Sequence, residues 1–218
     1  MANTEQGATI DRQPWPLVTI GVLLFSVATH LVPPLAGALE FDRGAVASGQ
    51  LWRLLTGHAT HYGGEHLLWD GAVLAVLGAV CERAGRGRFL GLMLTSALGI
   101  SLGVWLAAPG MQFYRGLSGI DSALFAWVTA RWTIDGWGDR NWPRLAAGVL
   151  PLLGFAGKCC YECVAGVTLF VDSSAAAFTP APLAHLLGGV VGVAFAGVLR
   201  RGVRPVRRPV AADRASAV

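Results

Sequence analysis

Four side chains in this sequence are of the types that hydrolyse a carbonyl: Ser118, His185, His66 and Asp70. A serine hydroxyl is a poor nucleophile at its free pKa and needs an adjacent base. Histidine is the usual base, because its pKa lies near neutral pH. Ser118 stands in Gly116-Leu-Ser-Gly119, where small neighbours let a scissile backbone approach. If a helix begins there, its first amides point at incoming negative charge. A tetrahedral oxyanion would then be held by the Ser118 N–H and by His66 as donor.

Those four residues meet only if the segments carrying them do. Of the 218 residues, 54% are hydrophobic and 14% charged, and mean hydropathy is +0.53. Soluble domains carry about 25% charged residues, so the class expected is a polytopic membrane domain. Disordered chains, collagens and soluble nucleic-acid binders are excluded. Four cysteines in a chain of this length are no disulfide scaffold.

Residues 13–39 carry no Asp, Glu, Lys or Arg and predict a first transmembrane helix over 15–37. A signal peptide fits less well, since the stretch lacks a basic start and more spans follow. Further spans are predicted at 65–82, 89–108, 116–133, 144–170 and 181–199. Only helices or closed barrels satisfy their backbone in lipid, and runs this long and apolar are helices. The expected fold is an all-α, six-transmembrane-helix bundle. It forms one domain over 15–199, between a cytoplasmic segment 1–14 and a basic cytoplasmic tail 200–218.

Most of the 17 basic residues fall on one side if the N-terminus is cytoplasmic. Arg83, Arg86 and Arg88, then Arg131, Arg140 and Arg144, then the run from Arg200 to Arg214 lie inside. Arg43, Arg53 and Arg115 lie outside, and Lys158 falls within the fifth span. The formal net charge of +4 is thereby explained by topology and anionic lipid, with no nucleic acid. The same topology brings Ser118, His66, Asp70 and His185 to similar depth near the outer face, on three different helices.

Each polar residue also has a simpler reading. Ser118-x-x-Asp121 is a capping-box pattern, which would give Asp121 a local role. Lys158 and Glu162 are spaced i,i+4, as a self-neutralising pair would be. Gly188-x-x-x-Gly192 and Gly99-x-x-x-Gly103 let helices pack closely. Cys159, Cys160 and Cys163 read as small apolar packers, and Trp52, Trp105, Trp137 and Trp142 as interface belt residues.

Taken together, these residues resemble the rhomboid family of intramembrane serine proteases. The resemblance covers about residues 50–195. It rests on Trp52-Arg53, on His61, His66 and Asp70 following Thr56, and on Gly78 followed by Glu82. It also rests on Gly116-Leu-Ser118-Gly119 and on His185 followed by Gly188-Gly189. Tyr114-Arg-Gly-Leu-Ser-Gly119, Lys158-x-x-Tyr161-Glu162 and Pro182-Leu-Ala-His185 are similar to the rhombosortase subgroup. The resemblance implies a water-accessible cavity and a Ser118–His185 dyad, with no metal or organic cofactor. It implies membrane-anchored substrates cleaved near or within a transmembrane helix, namely exported proteins with C-terminal Gly-Gly-type sorting tails. The setting implied is the bacterial inner membrane, with the site open to the periplasm.

Two positions depart from the family pattern. Many rhomboids carry Asn where this chain has Asp70. An ionised carboxylate accepts but cannot donate, so Asp70 is expected to orient His66. Many place an aromatic where this chain has Ser122, whose hydroxyl would instead bond to His185. The alternatives are a rhomboid-like protein that binds membrane helices without cutting them, and a small transporter using Lys158, Glu162 and Asp121 as a polar path.

Overall fold

A computed structural model describes residues 15–166 and 182–200. The described chain is mostly helical. Helix α1 (Leu17–Leu31) is followed by α2 (Pro33–Leu39), and the two are bent by 115°. The single continuous helix expected over 15–37 is therefore corrected to two helices. Pro33 and Pro34 donate no amide bond, and the residue before a proline is pushed out of the helical region. Val32 accordingly has ψ 84°.

A loop with short helices α3 (Arg43–Ala47) and α4 (Arg53–Thr56) leads to α5 (Gly64–Ala84) and α6 (Arg86–Ala107). Strands β1 (Phe41–Asp42) and β2 (Phe113–Tyr114) pair antiparallel, Phe41 opposite Tyr114, a feature too short for periodicity to reveal. Three long helices follow: α7 (Ser118–Gly138), α8 (Trp142–Ala165) and α9 (Pro182–Arg200). The stretch expected at 65–82 lies within α5, that at 89–108 overruns α6 by one residue, and that at 181–199 falls on α9 from residue 182. The fourth starts two residues late, at Ser118, and the part of the fifth beyond residue 166 lies outside the described residues, as do 1–14 and 201–218.

Among the described helices, α6 and α8 are each long and apolar enough to cross a membrane, and the bent pair α1–α2 is a third candidate. Pro182–Val198 is a shorter apolar helix. Helices α5 and α7 have the length but a more polar composition. Helix α7 can afford it, because it is ringed by α5, α6, α8 and α9, with twelve residues buried from Gly119 to Gly136. A helix faced by protein need not be apolar on every side.

Glycines set the closest contacts. A Cβ on Gly188 would fall on the carbonyl of Gly119, and one on Gly192 would fall on the carbonyl of Ala123. Gly103 and Gly99 give the same room to Leu187 and Val191. The two small-residue motifs thus join α9 to α7 and to α6.

Buried polar groups tie the ends. Glu82 accepts from the Val18 and Thr19 amides at 3.1 and 2.9 Å and from Arg86, capping α1 from the far end of α5. Arg43 donates to the carbonyls of Val104, Trp105, Ala108 and Met111, at and just beyond the end of α6. Its guanidinium also lies 4.7 Å from the Trp105 ring. Trp105 is therefore partly buried under a cation, whereas Trp52, Trp137 and Trp142 are exposed as belt residues would be. Arg53, from the Trp-Arg element, holds the carbonyls of Gly37 and Glu40 at 2.9 and 2.8 Å.

Candidate active site

Ser118 is the first residue of α7. Gly116, two residues before it, has φ +118°, a conformation that side chains with a Cβ rarely adopt. A Cβ there would also lie 2.7 Å from His66 Nε2. Glycine is thus needed to turn the chain into α7 against His66. The Tyr114 hydroxyl donates to the Gly116 carbonyl at 3.2 Å and braces the turn.

His185 lies one turn into α9. Its Nε2 is 3.1 Å from Ser118 Oγ. The contact follows from the glycine packing, since Gly188 seats α9 on Gly119 one turn from His185 and one residue from Ser118. The opposite ring nitrogen, Nδ1, is 2.9 Å from Glu162 Oε2. Glu162 is fully buried, and both its carboxylate oxygens accept from Lys158 Nζ at 2.7 Å. The i,i+4 pair expected from sequence therefore exists, but it is not self-contained: its carboxylate is shared with His185. The reading of Lys158 and Glu162 as a purely local pair is corrected on that ground. Spacing within one helix cannot reveal a partner on the next. The available signal was a carboxylate in the last third of the fifth span, on the side where the sixth begins with His185.

On the other side of Ser118, Asp70 Oδ2 accepts from the amides of Leu117 and Ser118 at 2.8 and 3.0 Å. His66 Nε2 lies 3.2 Å from the same oxygen and His61 Nε2 3.3 Å. Asp70 thus contacts His66, and it also occupies the Ser118 amide expected to receive an oxyanion. Burial holds the His61 imidazole below its ordinary range, opposed by the Asp70 carboxylate. His66 stacks on Tyr62 with centroids 6.2 Å apart, and Arg115 lies over the other residue of that stack, 5.1 Å from the Tyr62 ring.

Three expectations are corrected. The Ser122 hydroxyl donates to the Ser118 carbonyl at 2.8 Å, a back-bond within α7, and does not support His185. Asp121 makes no capping box, because the acceptor for the first amides of α7 comes from Asp70 on another helix. Its buried carboxylate has no hydrogen-bond partner among the described residues. Of the cysteines on α8, Cys159 is buried as a packer would be, but Cys160 and Cys163 are exposed. No group of three or more His, Cys, Asp or Glu among the described residues is disposed to hold a metal ion.

The described chain is thus helical with apolar candidate spans, and it holds a serine, an imidazole and a carboxylate in a bonded line. The rhomboid domain family model matches residues 48–202, and the chain belongs to the rhomboid family of integral membrane proteins, whose characteristic members are intramembrane serine proteases. Over 104 residues it is 30% identical to "Putative rhomboid protease YdcA" of Bacillus subtilis (strain 168). That alignment takes in 47% of this chain and 52% of the relative, so the chain spans about half the length of the curated relative it matches.

Proposed function

We propose that the protein is an intramembrane serine endopeptidase working through a Ser118–His185 dyad. The observation that carries this reading is the 3.1 Å approach of Ser118 Oγ to His185 Nε2. It is a hydrogen-bond distance between a nucleophile and a base delivered by separate helices. Ser118 attacks the carbonyl carbon, His185 takes the proton and returns it to the leaving amine, and water releases the acyl-enzyme. The oxyanion is received by the Ser118 amide and His66 once the Asp70 carboxylate turns aside from that amide. Gly116 and Gly119 keep side chains out of the approach, and Ser122 secures the first turn of α7. Metals and organic cofactors have no step in this chemistry.

The substrates proposed are membrane-anchored proteins cut near or within a transmembrane helix, in particular exported proteins with C-terminal Gly-Gly-type sorting tails. The arrangement proposed is six spans in a bacterial inner membrane, as one protease domain over 15–199. The segments 1–14 and 200–218 are cytoplasmic and the site opens to the periplasmic side. The distribution of arginines supports that orientation.

A second reading, a rhomboid-like protein that binds membrane helices without cutting them, draws on one observation. An anionic oxygen of Asp70 already rests on the amide that a reacting carbonyl needs. Labelling with a fluorophosphonate separates the two. Ser118-dependent labelling supports the protease, and its absence supports the binding protein. Comparison of exported-protein C-termini between wild type and Ser118→Ala tests the substrate. Sorting tails trimmed equally in both strains would remove it.

A further inference from the structure

We infer that Glu162 is a positioning residue for the protease reaction: held by Lys158, it selects the tautomer of His185 that can act as base on Ser118. The inference rests on the protease reading above. It starts from three contacts. Glu162 Oε2 lies 2.9 Å from His185 Nδ1, Lys158 Nζ lies 3.4 Å from the same nitrogen, and Ser118 Oγ lies 3.1 Å from Nε2.

A neutral imidazole carries one proton. If Nδ1 carries it, that N–H donates to the carboxylate, and the bare Nε2 faces the serine hydroxyl. If Nε2 carries it, Nδ1 accepts from the ammonium, and the serine finds a donor where it needs an acceptor. The two α8 side chains therefore ask for opposite tautomers. The carboxylate contact is shorter, and a charge-assisted bond at that distance is the stronger. The ammonium is meanwhile engaged at 2.7 Å by both carboxylate oxygens. The Nδ1–H tautomer wins.

In the reaction, the Ser118 oxygen bonds to the carbonyl carbon and the carbonyl electron pair moves to its oxygen. The hydroxyl proton moves to Nε2. The imidazolium then keeps Nδ1–H on Glu162, whose charge offsets the new positive charge without taking the proton. Glu162 is fully buried, so water does not dilute that interaction. Lys158 has a second part: it keeps a buried carboxylate ionised that would otherwise be costly to hold in place. The groups facing the ring are Glu162 and Lys158 from α8 and Ser118 from α7, among the described residues. Helix α7 also carries the buried Asp121 one turn on, and α6 presents the non-titrating Gly99 and Gly103 to α9.

The test uses the full-length protein in detergent micelles, with a fluorogenic transmembrane peptide and a fluorophosphonate. Glu162→Gln is expected to lower kcat by roughly 10²- to 10⁴-fold with KM nearly unchanged, as loss of a tautomer-setting carboxylate does. The acid limb of its pH profile should move to lower pH, because a negative charge next to the imidazolium is gone. Lys158→Met should move that limb to higher pH, because a positive charge is gone. Glu162→Asp should restore part of the rate. A residue that merely pinned α8 to α9 would change yield and stability but not move the two limbs in opposite directions. Imidazole ¹⁵N spectra of the wild type keep the test open should Glu162→Gln fail to fold, with a protonated Nδ1 and bare Nε2 expected at His185. An Nε2–H tautomer there, or Glu162→Gln with wild-type kcat and pH profile, overturns the inference. Absence of Ser118 labelling in the wild type instead overturns the protease reading beneath it.

Discussion

Gly188 of α9 rests directly on the carbonyl of Gly119, so that two helix backbones touch one residue from Ser118 and one turn from His185. No side chain separates the elements that carry the nucleophile and the base. The separation of those groups is therefore a property of backbone packing, and any added carbon at 188 must widen it.

Gly188→Val is expected to reduce fluorophosphonate labelling of Ser118 at least about tenfold, because a strained core contact cannot relax without moving α9. Gly197→Ala is the control on the same helix. A Cβ there meets nothing within 4 Å, so labelling should be unchanged and stability equal or slightly higher. Equal labelling in wild type and Gly188→Val would separate the glycine contact from the site geometry.

Asp70→Asn removes the negative charge from the Ser118 amide while preserving the shape of the side chain. Charge-assisted bonds to Leu117, Ser118 and His66 become neutral ones, at a cost of about 1 kcal/mol. Labelling by an agent that forms an oxyanion should become several-fold faster, since the amide is no longer held by a competing anion. Thermal unfolding and labelling rates measured on one preparation check both directions. A slower rate in Asp70→Asn would mean that the carboxylate assists the reaction.

Arg43→Met strips the C-terminal carbonyls of α6 of their shared donor. A loss of about 2 kcal/mol is expected from the lost guanidinium bonds. Limited proteolysis should find the 40–63 loop opened, because that loop is tied to α6 through this guanidinium. Unchanged cleavage kinetics would refute the assignment.

Burial lowers the pKa of His58, in the loop before α5, from 6.5 to about 4. The neutral ring bonds to Ala97 O at 3.0 Å and Ser101 Oγ at 3.1 Å. A folded-state pKa below the unfolded one means that the unfolded chain binds more protons between those values. The stability from neutral His58 is therefore fully present above pH 6.5 and is lost progressively as pH falls toward 4. Unfolding midpoints at pH 7 and pH 5 should drop less in His58→Gln than in the wild type. Parallel drops would assign the acid sensitivity elsewhere.

The sequence placed Ser118, His66, Asp70 and His185 on three separate apolar segments, and the fold brings those segments into contact, with Ser118 Oγ 3.1 Å from His185 Nε2 and the Ser118 amide 3.0 Å from Asp70 Oδ2. The bend after Leu31 was written in Pro33-Pro34, but length alone read it as one span. Glu162 was hidden by a partner nearer in sequence: Lys158 satisfies the i,i+4 pattern and gives no reason to look across to α9. Ser122 and Asp121 were misread for a related reason. Their local patterns are valid for an isolated helix, whereas α7 takes its N-terminal acceptor from α5 and turns the Ser122 hydroxyl onto its own backbone.

Helix α7 is ringed by protein, whereas on α8 the buried residues are Gly148, Cys159 and Glu162. A change in lipid chain length acts on outward-facing surface, by tilting or straightening the helix that presents it. In this molecule the serine sits on an enclosed helix, whereas the buried Glu162 carboxylate rides on a helix whose other faces are largely open. Under the protease reading, a change in bilayer thickness would reach Ser118 through Glu162 and His185, with α8 as the gauge.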